Sequence, residues 1–194
     1  MKKHLLTLLL LSSSYLFSQS ISFEDLEKNA GKYYTNIEAS LLISRFELLT
    51  VDNNAKKLTY QFSPINSEEN GNKYCYVWRN EDDKAETITY YTTSIKEYIN
   101  WKKALIIKNY KSKPVVQESD GTKEWFYSKN ILVKILHKQL DSSEKNDKID
   151  AYIITFIKKN KATQKSGFFF ITNSKQNFQN LQNHSIYMNR LPAR

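Results

Sequence analysis

A single cysteine among 194 residues, Cys75, excludes an internal disulfide, so any core that this chain builds stands without covalent staples. Glycine is nearly as scarce. With four glycines there is no phosphate-cradling loop, and neither Walker nor dinucleotide-binding spacing occurs, which sets nucleotide chemistry aside. Histidine numbers three, and His4 lies in the leading segment. His137 and His184 are far apart in the chain, and neither has a carboxylate or cysteine at a metal-ligand spacing, so no metal site and no cofactor are expected. Acidic residues are outnumbered, 20 against 29 lysines and arginines. Beyond the first residues there is no apolar run long enough to span a bilayer, so no stable membrane anchor is expected.

The opening residues do carry a signal. Lys2 and Lys3 precede an apolar run from Leu5 to Leu11, then Tyr15-Leu16-Phe17 and small residues at Ser18 and Ser20, the layout of a secretory signal peptide. The expected boundary is after Ser20, with Ser18 close behind, and no cysteine stands there to accept lipid. The expected address is therefore periplasmic or extracellular. Cleavage would leave about 174 residues, enough for one domain with a sizeable core. Net charge would stay at roughly +7, which favours anionic partners. Export and the lack of a nucleic-acid-binding motif argue against nucleic acid and leave proteins, glycans and other anionic envelope components.

The chain divides at a strand-to-helix stretch from Ala85 to Ile107. Ser94 and Glu97 stand at the capping-box spacing, and Ile95, Tyr98, Ile99, Leu105 and Ile106 read as the buried stripe of a helix. Before it come a short helix opened by Ser22 and ended by Gly31, then a helix with Thr35 as its cap and Ile37, Leu41 and Leu42 inward. Strands follow at 46–51, 58–62, 73–79 and 86–92. After the central helix the order repeats, with strands at 109–117, 124–127, 131–137 and 149–157. Gly167 to Ile171 reads as one more edge strand, and Phe178 and Leu181 as a short helix capped by Ser174.

The expected fold class is α+β: two helix-plus-four-strand units, at about 32–92 and 94–158, forming one antiparallel sheet with the helices on one face. The expected single domain runs over 21–172, with 173–194 as a tail. This element order resembles the tandem helix-plus-four-strand architecture of β-lactamase-inhibitor-protein-like secreted bacterial proteins. The resemblance rests on element order and implies a sheet face that docks a protein; it assigns no residue.

No catalytic constellation emerges. Cys75 alternates with Tyr74 and Tyr76 in a strand and reads as a buried apolar residue, and His137 reads as a strand-end or sheet-face residue. The Ser142-x-x-Lys145 spacing lies in a polar loop without companion motifs, and the acidic pairs occupy lysine-flanked turns. Thirteen tyrosines are the compositional excess. If Tyr74, Tyr76 and Trp78 point to the helices, alternation sends Arg79 to the other face, and the same reasoning adds Tyr91, Lys134 and Tyr152 as binding residues. The reading is an exported, non-catalytic binding protein of the inhibitor or immunity kind that recognises a protein or an anionic envelope partner. The alternatives are an envelope-acting hydrolase and a glycan-binding module.

Overall fold

A short amphipathic start sets the helix layer in place. In the computed structural model, which describes residues 21–63, 73–119, 121–141 and 148–159, helix α1 spans Phe23–Asn29. The Ser22 hydroxyl accepts from the Asp25 backbone N–H at 3.0 Å, supplying one bond that the first helical turn lacks. The helix gives way to Gly31 at φ +83°, a left-handed conformation that glycine adopts without strain. Helix α2 spans Tyr34–Ile43 and ends at Ser44. Its expected cap, Thr35, instead lies inside the helix. Tyr33 holds the cap position without a side-chain bond, because the chain is pinned there by the Tyr34 N–H donating to Asp83 O at 2.9 Å and by a Tyr33–Lys84 bridge.

Strands β1 (Phe46–Asp52), β2 (Lys57–Phe62), β3 (Tyr74–Arg79) and β4 (Ala85–Thr92) form an antiparallel meander. Helix α3, Ile95–Ile107, then crosses to the second half of the sheet. The segment expected as one strand over 109–117 is two pieces, β5 (Lys111–Ser112) and β6 (Val116–Glu118), with Pro114 between them. Proline has no N–H for a ladder, so pairing stops there. Strands β7 (Gly121–Tyr127), β8 (Ile131–Asp141) and β9 (Lys148–Lys158) complete the sheet. Gly121 is required by close approach: at φ +141°, an added Cβ would sit 2.1 Å from the His137 carbonyl oxygen.

The strand order is β1-β2-β3-β4-β9-β8-β7-β5, with β6 also on β7, and every pairing is antiparallel. The fold is thus α+β, a nine-stranded antiparallel sheet with the three described helices on one face. The β4–β9 pairing, from Thr87–Ile157 to Thr92–Tyr152, closes its centre.

The core lies between that face and the helices. Phe23 of α1 meets Phe156 of β9 at 5.2 Å between ring centres, and Trp101 of α3 stacks on Tyr90 of β4 at 4.8 Å. Leu26, Ile37, Leu41, Leu105, Cys75, Val77, Ile88, Val133, Ile135 and Ile154 fill the space around them. Three expectations of facing are corrected here. On α3 the buried residues are Trp101 and Leu105, with Tyr98 beside them, whereas Ile95, Ile99 and Ile106 point outward; Leu42 of α2 is likewise exposed. On β3, Cys75 and Val77 face the helices and Tyr74, Tyr76 and Trp78 face away. On β9, Tyr152 and Phe156 face the helices, and Ala151 and Ile153 do not. The edge strand over 167–171, the helix around Phe178, the Ser142–Lys145 spacing and the signal segment lie outside the described residues.

Candidate functional site

Two polar clusters occupy the helix side of the sheet. The first surrounds Glu97, in the first turn of α3, whose backbone N–H donates to the Ser94 hydroxyl at 3.3 Å. Its carboxylate accepts from Tyr90 at 3.0 Å and Thr92 at 2.7 Å and pairs with Lys73 at 2.8 Å, all with little solvent access. Burial, then the adjacent carboxylate, drives the Tyr90 phenol well above its ordinary range. A carboxylate with three donors already in place ties the end of β4 to α3; this is an anchoring arrangement.

The second cluster gathers several titratable side chains. Tyr98 of α3, Tyr152 of β9 and His137 of β8 form a stack, with ring centres 4.4 Å apart between the tyrosines and 4.9 Å between Tyr152 and His137. The Tyr98 hydroxyl donates to Glu124 at 2.9 Å, and Lys102 pairs with the same carboxylate at 2.8 Å. His137 Nε2 lies 2.9 Å from Asp150 Oδ1, and this bond holds the Asp150 carboxyl below its usual value. A histidine–carboxylate pair orients an imidazole, yet the hydroxyl on the residue paired across from it, Thr122, donates to Gln117 at 3.0 Å and is aimed elsewhere. Among the described residues no group of three histidine, cysteine, aspartate or glutamate side chains is placed to hold a metal ion.

The four residues selected from sequence do not share a surface. Arg79 lies on the helix side, its guanidinium 4.8 Å above the Tyr34 ring and 3.2 Å from Asp83. Tyr152 is buried in the helix-side stack. Tyr91 and Lys134 are on the opposite face, Tyr91 beside Tyr74 at 5.9 Å and the Lys134 ammonium 5.4 Å from the Trp125 ring centre. The expected common face fails because β3 and β9 turn Cys75, Val77, Tyr152 and Phe156 toward the helices, which puts Arg79 and Tyr152 across the sheet from Tyr91 and Lys134.

The surface that sequence reasoning missed is the outer side of α3. Ile95, Ile99 and Ile106 are 53%, 43% and 68% exposed, and at 100° per residue they fall within a narrow arc of the helix. Lys96 and Lys103 are exposed along the next arc of the same helix. The signal was present in the spacing: an Ile–Ile–Ile line and a Tyr98–Trp101–Leu105 line run along the same helix, and only one of them can face the sheet. An apolar ridge edged by lysines, on a helix whose other side is fixed to a sheet, can settle on an apolar surface bearing negative charge.

The class of protein defined here is an α+β sheet protein with one helix layer and an exposed aliphatic, basic helix ridge. No family model, no curated protein and no solved structure matches the chain. No helix among the described residues is long and apolar enough to cross a membrane.

Proposed function

We propose that the chain is exported and acts by binding rather than catalysis, and that its partner is an anionic surface of the cell envelope. The observation that carries this reading is the outward isoleucine ridge of α3 with its bordering lysines. Isoleucines at i, i+4 and i+11 on a helix already anchored by Trp101 and Leu105 have no core to enter, and lysines beside them suit phosphate head groups. The basic excess, 29 lysines and arginines against 20 acids, acts in the same direction by drawing the protein to negative charge. The signal-like opening residues supply the route out of the cytoplasm.

Sedimentation with phosphatidylglycerol vesicles, with phosphatidylcholine vesicles as the contrast, tests this. The protein should bind the anionic vesicles only and leave them as salt rises toward about 1 M, where charge interactions are screened within roughly 3 Å. Lys96→Glu and Lys103→Glu should each weaken binding by at least about fivefold, and Ile99→Asp with Ile106→Asp should abolish it, while thermal melts stay close to the parent's. Absence of binding to anionic vesicles, or indifference to the isoleucine changes, would reject the surface and return the protein to the inhibitor- or immunity-like reading with a protein partner.

A further inference from the structure

At its centre, the sheet face turned away from the helices is nearly as inaccessible as the core. It carries Tyr76, Thr89, Thr155 and Lys134 in one cross-strand row and Tyr74, Tyr91, Ile153 and Leu136 in the next. Leu136 is 1% exposed, Lys134 6% and Lys138 7%. Leu132, Leu136, Ala151, Ile153 and Tyr76 are buried, yet none of them belongs to the core cluster beneath the helices. The three described helices lie on the other side, and the nine described strands are all in the sheet.

Neighbouring strands cover the flanks of a sheet side chain but not its tip, and lysines on a bare face keep their ammonium groups in water. Burial to this degree calls for a layer of chain on top, about 10 Å above the sheet.

We propose that residues 160–194 supply this layer, folding back from the end of β9 to form a second core on the helix-free face. Of the segments outside the described residues, 1–20 is removed by the export proposed above, on which this step rests, 142–147 contains no apolar side chain and 64–72 contains one isoleucine. Residues 160–194 contain Phe168, Phe169, Phe170 and Ile171, then Phe178, Leu181, Ile186 and Leu191. They follow directly on a strand at the centre of the sheet. At half of full extension they would reach roughly 60 Å, and the seven inter-strand spacings along the sheet, at about 4.8 Å each, come to roughly 34 Å. They contain no aspartate or glutamate, and their many asparagines, glutamines, serines and threonines bring oxygens that accept from lysine without burying acidic side chains.

Acetylation of the full chain by an amine-reactive ester, followed residue by residue by mass spectrometry, tests the proposal. Lys134 and Lys138 should react at least about tenfold more slowly than the exposed Lys103, at a rate independent of protein concentration. The combined change Phe168→Asp, Phe169→Asp and Phe170→Asp should bring both lysines toward the Lys103 rate. Fast reaction in the parent, protection that grows with concentration, or protection unchanged by the triple substitution would overturn the assignment. Because the triple variant could lose its fold, a second measurement uses the otherwise unaltered chain with Tyr91→p-benzoylphenylalanine. Irradiation should link position 91 to residues 160–194 of the same molecule; links only to a second copy, or none, would also overturn it.

Discussion

Single side chains show how far this protein relies on burial in place of covalent ties. Cys75 is fully buried between Tyr60 and Tyr90 in the ladder, and burial pushes its thiol far above the ordinary range, which makes it an inert core residue. The tyrosines make a sharper test. Burial is the largest cause that raises Tyr60, Tyr76, Tyr90 and Tyr110, and neighbouring Glu38, Glu97 and Glu27 add to it for Tyr60, Tyr90 and Tyr110. Each folded value is above the unfolded one, so the stability these groups contribute is complete below about pH 10 and is lost as pH rises toward the folded values. The urea midpoint should therefore stay nearly level between about pH 7 and 9 and fall beyond about pH 10. Absorbance at 295 nm should show fewer ionised tyrosines in the folded than in the urea-unfolded chain at the same pH near 11. Equal ionisation in both states would contradict the burial of these phenols.

At the scale of elements, α3 decides which apolar line is structural. Trp101 is buried against Tyr90, Phe23 and Phe156, and Leu105 is fully buried, while Ile99 projects outward. Trp101→Ala should cost about 3–5 kcal/mol and Ile99→Ala less than about 1 kcal/mol, measured by chemical denaturation. The reverse ordering would mean that the helix is rotated on the sheet. Most strands and the capped start of α3 were legible in sequence, since β-branched and aromatic runs separated by polar turns carry that information locally. Facing was less legible, for a physical reason. Alternation identifies a core face only when the opposite face is polar, and in β3 and β9 both faces are buried, so Tyr74 to Trp78 and Ile149 to Ile157 offer two equally apolar choices. The α3 stripe misleads similarly, because its isoleucines are as apolar as the Trp101 line, and Glu97, though charged, turns inward to meet Tyr90 and Thr92. The His137–Tyr152–Tyr98 stack joins residues far apart in the chain, which no local pattern announces.

For the whole molecule the question is whether the two meanders are separate folding units. Their seam is the six-pair β4–β9 ladder, with the Thr89 and Thr155 hydroxyls 3.1 Å apart within it. The core crosses that seam: Phe23, from the first helix, touches Trp101, Tyr110 and Phe156, and Glu27 accepts from Tyr110 at 2.6 Å and from Lys108 at 2.7 Å. Removing the second half would strip α1 of its partners and leave β4 as a bare central edge. A fragment covering residues 21–93 should therefore lack near-ultraviolet dichroism and a cooperative melt, whereas the intact chain should unfold in one transition seen alike by fluorescence and far-ultraviolet dichroism. Because β4 must find β9 across a long stretch of chain, refolding should occupy milliseconds to seconds. A fragment that melts cooperatively alone would show that the halves are independent units, and the shared core would then join two folded bodies.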